Sequence, residues 1–132
     1  MTPFVTRVIA DKPDAMAPDG SEVRLLAATE RGSMAHFSLP AGAVSKAVVH
    51  RTVEEVWFFI GGRGEMWRKS GGGEETVAVH AGVSIAIPVG TAFQFRATGA
   101  SALEAVAVTI PPWPGMDEAT PAEGVWEVTV GG

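Results

Sequence analysis

A chain of 132 residues with a net charge of −5, 46% hydrophobic residues and no cysteine can build one packed core, but no disulfide framework and no thiolate metal site. The acidic balance argues against a nucleic-acid partner, whose phosphates most of the surface would repel. No run is long enough to span a bilayer, and the first ten residues lack the basic start and continuous apolar stretch of a signal peptide. Together with the missing cysteine, this leads us to expect a cytoplasmic protein.

Sixteen Gly and nine Pro separate apolar runs of four to eight residues, and no window sustains a helical period. In chain order, the pattern predicts strands over Phe4–Ala10, Glu22–Ala28, Ser33–Leu39, Lys46–His50, Val56–Gly61, Glu65–Lys69, Glu75–His80, Ser84–Ile87, Ala92–Ala97, Leu103–Ile110 and Val125–Val130. Asp11–Gly20 reads as a polar, proline-bearing loop. Ser70-Gly-Gly-Gly73 reads as a hairpin loop, since glycine takes positive φ without cost. Pro40-Ala-Gly42, Pro88-Val-Gly90 and Thr98-Gly99 are further turns. Pro111-Pro-Trp-Pro-Gly115 forces an extended path. Short strands at this spacing predict an all-β, single-domain, antiparallel double-sheet β-barrel over residues 1–132, with the first strand and the C-terminal segment packed on it. An immunoglobulin-like sandwich would need about seven strands and a Cys–Trp–Cys core.

Strand alternation then sorts the side chains. His50 and Val48 share a face. Glu55 shares one with Trp57 and Phe59, while Val56 and Phe58 point the other way onto a face too apolar for water. Phe93 and Phe95 lie together, with Gln94 and Arg96 opposite. Arg96 and Glu104 are placed to pair across the sheet. Trp113 and Trp126 read as staples for the C-terminal segment, Trp67 as pocket or outer sheet, His80 as a surface residue, and His36 as facing either way. Arg63, Arg68 and Lys69, interrupted by Glu65, read as a solvated hairpin tip, with a phosphate site as the weaker alternative.

The densest chemistry lies in His50-Arg-Thr-Val-Glu-Glu55, followed by Val56-Trp-Phe-Phe-Ile60 and Gly61-Gly62. Five residues across a tight turn let His50 and Glu55 converge, as metal ligands or an acid/base pair must. Downstream, Gly82-Val-Ser-Ile-Ala-Ile-Pro88-Val-Gly90-Thr-Ala-Phe93 supplies a second block. Between about residues 40 and 99 these two blocks resemble the paired motifs of the cupin superfamily. The resemblance assigns four ligand positions to Val48, His50, Glu55 and Phe93, two of which cannot donate, so it implies a barrel with a degenerate metal site. We therefore expect no cofactor, with a divalent metal on His50 and Glu55 as the minority reading.

Two function classes follow. The first is a binding barrel whose pocket, lined by Val48, Trp57, Phe59, Phe93 and Phe95, holds a small apolar or aromatic molecule. The alternative is an enzyme. It would be an isomerase or epimerase using His50 and Glu55 as an acid/base dyad, the carboxylate raising the ring's basicity, or else a metal-dependent oxygenase or isomerase. The apolar face of Val56 and Phe58 leads us to expect a homodimer, as cupins commonly form. No membrane partner is expected.

Overall fold

A computed structural model describes residues 4–130. Its strands are β1 (Ala15–Met16), β2 (Glu22–Ala28), β3 (Ser33–Leu39), β4 (Val48–His50), β5 (Glu54–Gly61), β6 (Arg63–Ser70), β7 (Gly73–His80), β8 (Ser84–Ile87), β9 (Ala92–Ala97), β10 (Leu103–Ile110) and β11 (Ala119–Pro121). They form two antiparallel sheets, β1-β2-β3-β10-β5-β8 and β11-β4-β9-β6-β7. This is the double-sheet barrel expected from the turn spacing. No helix among the described residues is long and apolar enough to cross a membrane.

The two-residue period is sharpest in β5, where Glu55, Trp57 and Phe59 are buried while Glu54, Val56, Phe58 and Ile60 are exposed. Trp57 and Phe59 meet Phe93, Phe95 and Met66 of the facing sheet to form the core. Phe37 stacks on Trp57 at 5.0 Å, and Phe93 and Phe95 contact it edge-on at 6.0 and 5.2 Å. Such offset and edge contacts add to the area term of a buried aromatic cluster.

Glycine matters most at the turn after β5. Gly62 has φ 77°, and a Cβ there would strike the Ala102 carbonyl. The Gly71–Gly72 turn differs from expectation: it closes the β6–β7 hairpin with Ser70 opposite Gly73, yet none of Gly71, Gly72 and Gly73 has positive φ. The glycines there are tolerated and not required.

Both terminal strands of the expected set are absent. Phe4–Ala10 has no sheet partner, and Phe4 and Val8 are exposed; Arg24 ties its end down by donating to the Ala10 and Asp11 carbonyls at 3.0 Å. Residues 125–130 form no named strand: the Thr129 and Val130 amides donate to the Val44 carbonyl at 3.1 and 3.3 Å, and residues 125 and 126 are held by a side chain. Gln94 Oε1 accepts from the Val125 and Trp126 amides at 2.9 and 3.0 Å, and its amide donates to the Ser45 and Trp126 carbonyls at 2.9 Å. Gln94, expected on an outer face, is thereby buried completely. Trp67, on the same face of that sheet, is also buried, its indole N–H donating to Glu74 at 2.8 Å. Arg96 pairs with Glu65 at 2.9 Å instead of Glu104, because β6 and not β10 neighbours β9. Its guanidinium also lies 4.4 Å over the Trp126 ring. Glu104 pairs with His36 at 3.0 Å on the outer face of the six-stranded sheet.

Candidate ligand site

The turn between β4 and β5 decides where His50 and Glu55 point. Glu118, at the end of a 3-10 turn spanning Met116–Glu118, clamps it. Its carboxylate accepts from the Thr52 amide at 2.6 Å, the Thr52 hydroxyl at 2.5 Å and the Val53 amide at 3.1 Å. Burial pushes the Glu118 carboxyl up, but these bonds and the nearby His50 outweigh it and leave it below the usual range. The clamped turn delivers His50 and Glu55 to the interior, with His50 Nδ1 3.6 Å from Glu55 Oε1. Both are nearly inaccessible, at 5% and 3% exposure.

Glu55 is held from two sides. Thr109 donates to Oε2 at 2.5 Å from β10, and the Trp57 indole donates to Oε1 at 3.1 Å. Burial raises the carboxyl to about 7, against the pull of those two bonds and with a further push from the charge of Asp19. His50 lies edge-on between Phe93 and Trp113, each at 5.2 Å. Burial pushes the ring below its ordinary value, with Glu118 opposing. Both shifts run against the expected dyad, since burial lowers the ring's basicity and raises the carboxyl. His50 Nδ1 is buried without a hydrogen-bond partner, a costly arrangement for a polar atom.

These groups form one end of a cavity of about 430 Å³. Its walls come mainly from β2, β3 and the segment after β10, including Val23, Leu25, Ala35, Phe37, Pro112, Trp113 and Met116. Val48 lines it as expected. Trp57, Phe59, Phe93 and Phe95 do not; they pack the core behind it. A barrel this narrow uses its aromatic layer as filling, so the hollow is displaced towards β2 and β3. Sequence reasoning missed Thr109, Phe37 and Asp19, and took Trp113 for a staple only. Asp19 is buried, lines the same cavity and accepts two bonds from Ser21, at 2.6 and 2.9 Å. Burial raises its carboxyl, against those bonds.

The donor set does not fit a divalent transition metal, which takes three or four N, O or S ligands. Val48 and Phe93 are direct partners across β4 and β9 and occupy two of the four family ligand positions with carbon. Both Glu55 oxygens already accept bonds. His36 is on the far side of its sheet and His80 is at the surface, its ring against the Ala81 carbonyl. Among the described residues no three His, Asp or Glu side chains group to hold a metal ion.

The cupin domain family matches residues 35–109, more than half of the chain. No curated protein is significantly similar in sequence. Among solved structures, a Bacillus halodurans protein is 21% identical with a TM-score of 0.64, covering 70% of this chain and 72% of its own. A deletion mutant of Bacillus subtilis oxalate decarboxylase, an enzyme described as having Mn(II) centres, is 16% identical with a TM-score of 0.68 over 84% of this chain. This chain spans only 30% of that enzyme's length. The cupin domain of Schizosaccharomyces pombe Cnp3 is 14% identical, with a TM-score of 0.62, covering 69% and 64% of the two chains. At these identities the likeness is one of fold.

Proposed function

Because this chain belongs to the cupin family, and its ligand positions are half carbon, we propose that it works as a small-molecule-binding barrel with a degenerate metal site. The ligand is a small, largely apolar or aromatic molecule held with its polar group against His50 and Glu55. One observation carries this reading: a cavity of about 430 Å³, walled by apolar side chains, ends at a buried imidazole whose Nδ1 lacks a partner. Pockets of this size and lining suit ligands of that kind. A ligand atom bonded to Nδ1 would relieve the cost of leaving it unpaired.

Titration with small aromatic alcohols, amines and acids, followed through tryptophan fluorescence, tests the reading because Trp113 is in the cavity wall. Saturable quenching that Ala35→Phe abolishes by filling the space supports it. The reading fails if none of the compounds binds, or if the filled variant binds as well as the parent.

The enzyme reading is favoured by one observation of its own, a carboxyl poised at about 7 beside an unpaired imidazole. Such a pair could take a proton from carbon next to a carbonyl and return it. Deuterium wash-in at that carbon of a bound carbonyl compound, lost in Glu55→Gln, would establish it. We further propose that two chains pair through the outer face of the six-stranded sheet, where Val56 and Phe58 are each 50% exposed.

A further inference from the structure

We propose that the ligand is an organic cation, an aromatic or aliphatic ammonium whose charged end sits against Glu55 and His50, within reach of the charge of Asp19, and whose apolar body fills the cavity. This rests on the small-molecule reading above and names its ligand class. Three observations converge.

First, the side chains around His50 and Glu55 leave acceptors for a ligand. The Thr109 hydroxyl and the Trp57 indole already donate to Glu55. What remains for a ligand is the unpartnered Nδ1 of His50, an acceptor in the Nε2–H tautomer, and the carboxyl oxygens of Glu55 and Asp19, each with lone-pair capacity beyond one bond. An ammonium brings three donors and no acceptor, the complement of that set.

Second, two carboxyls line one cavity whose walls are otherwise largely apolar. Asp19 is 4% and Glu55 3% exposed, and burial raises both carboxyls, Glu55 up to about 7. Among the described residues, the only basic side chain lining the cavity, apart from the His50 ring, is Arg7, an exposed residue of the N-terminal segment. A buried ligand cation would supply a countercharge to both carboxyls.

Third, Trp113 lines the cavity and touches His50, which puts an aromatic ring beside the ammonium position. Ring faces attract cations, and ammonium ligands use them widely. The net charge of −5 favours approach of a cation over an anion.

Binding should then release protons. The titratable and charged groups facing the ammonium are Asp19, Glu55, His50 and Arg7, with Glu118 behind His50. A cation lowers the carboxyl values, and a group at about 7 is half protonated at pH 7, so Glu55 alone gives up roughly half a proton.

Calorimetry with 2-phenylethylamine, 2-phenylethanol and phenylacetate at pH 7, each in two buffers of different ionisation enthalpy, tests the proposal. The amine should bind at least about tenfold tighter than the alcohol, with net proton release, and phenylacetate weakest. Asp19→Asn and Glu55→Gln should each cost the amine at least about tenfold more than they cost the alcohol, with circular dichroism and a cooperative urea melt showing that each variant is folded. Equal or tighter binding of the alcohol or the acid overturns the cation inference and leaves the small-molecule reading standing. Amine binding without proton release, or unaffected by both substitutions, overturns it as well. Binding of none of the three removes both.

Discussion

Thr109 and Glu55 are direct partners across the β10–β5 ladder, and the Thr109 hydroxyl donates to Glu55 Oε2 at 2.5 Å. This bond is one of two that restrain a carboxyl which burial drives upward. Removing it with Thr109→Val should move the Glu55 midpoint further above about 7. Carbon-detected NMR of the glutamate carboxyls across pH 4–9 reads the change directly. An unmoved midpoint would mean that burial alone sets it.

The same carboxyl makes stability fall with pH. Its value rises on folding from an ordinary 4.5 to about 7, so between those limits the folded state holds more protons than the unfolded one. Its contribution is complete below pH 4.5 and is lost as pH rises through 7, a loss of about 3 kcal/mol for an isolated group. Asp19, also raised, adds to the slope in the same direction. Glu55→Gln should remove most of the dependence and be more stable than the parent at pH 8. The amide oxygen can still accept from Trp57, while the Thr109 hydroxyl reverses to accept from the amide nitrogen. Urea denaturation at pH 5, 6.5 and 8 measures it. A parent and a Glu55→Gln variant with the same pH dependence over that range would show that Glu55 ionises without cost, since the lowered His50 ring acts alike in both.

Much of this site was legible in the sequence, for reasons of period and spacing. Alternation through β5 fixed the inward set of Glu55, Trp57 and Phe59, and the five-residue spacing brought His50 to it. The hollow itself was not legible, because it depends on which inward residues pack and which stand back. Phe93 and Phe95 fill the barrel, while Phe37, Ala35 and Trp113 border the space. Asp19 sits in a loop with no period, and only the fold carries it to Glu55. The last expected strand failed because the side chain of Gln94 serves residues 125 and 126 as a ladder strand would, an exchange that no hydrophobic pattern records.

Backbone constraints separate two glycines that look alike on paper. Gly62→Ala puts a Cβ at φ 77° and against the Ala102 carbonyl, and should destabilise by at least about 2 kcal/mol. Gly72→Ala meets nothing within 4 Å and needs no positive φ, so it should stay within about 0.5 kcal/mol of the parent. Paired urea melts give both numbers. Similar losses at the two sites would contradict the turn geometry.

On the outer face of the six-stranded sheet, Val56, Phe58 and Ile60 are each about half exposed (50, 50 and 46%), beside Met34 at 38%. An apolar strip of this kind usually meets a partner. Light scattering at micromolar concentration should give twice the 13.7 kDa chain mass, and Phe58→Glu should return the monomer. A parent that scatters as a monomer would end the homodimer proposal.

Metal binding can be asked of the two positions that carry carbon side chains beside His50 and Glu55. Val48 and Phe93 face each other across β4 and β9, and the Phe93 ring lies 5.2 Å from that of His50. Changing both to His should bring four potential donors together, with Glu55 as the fourth once a metal competes with Thr109 and Trp57 for its oxygens. The packing cost is larger than a simple volume comparison suggests, because Phe93 is completely buried against Trp57; losing that ring from a closed core costs on the order of 2–4 kcal/mol. The apo double variant should therefore melt well below the parent and recover when Zn²⁺ or Ni²⁺ is added, since metal binding to the folded form alone offsets the loss. Calorimetric titration should show one equivalent bound by the double variant and none by the parent. Equal affinity in the two would mean that the parent draws on donors beyond His50 and Glu55, and the metal-enzyme reading would then displace the binding barrel.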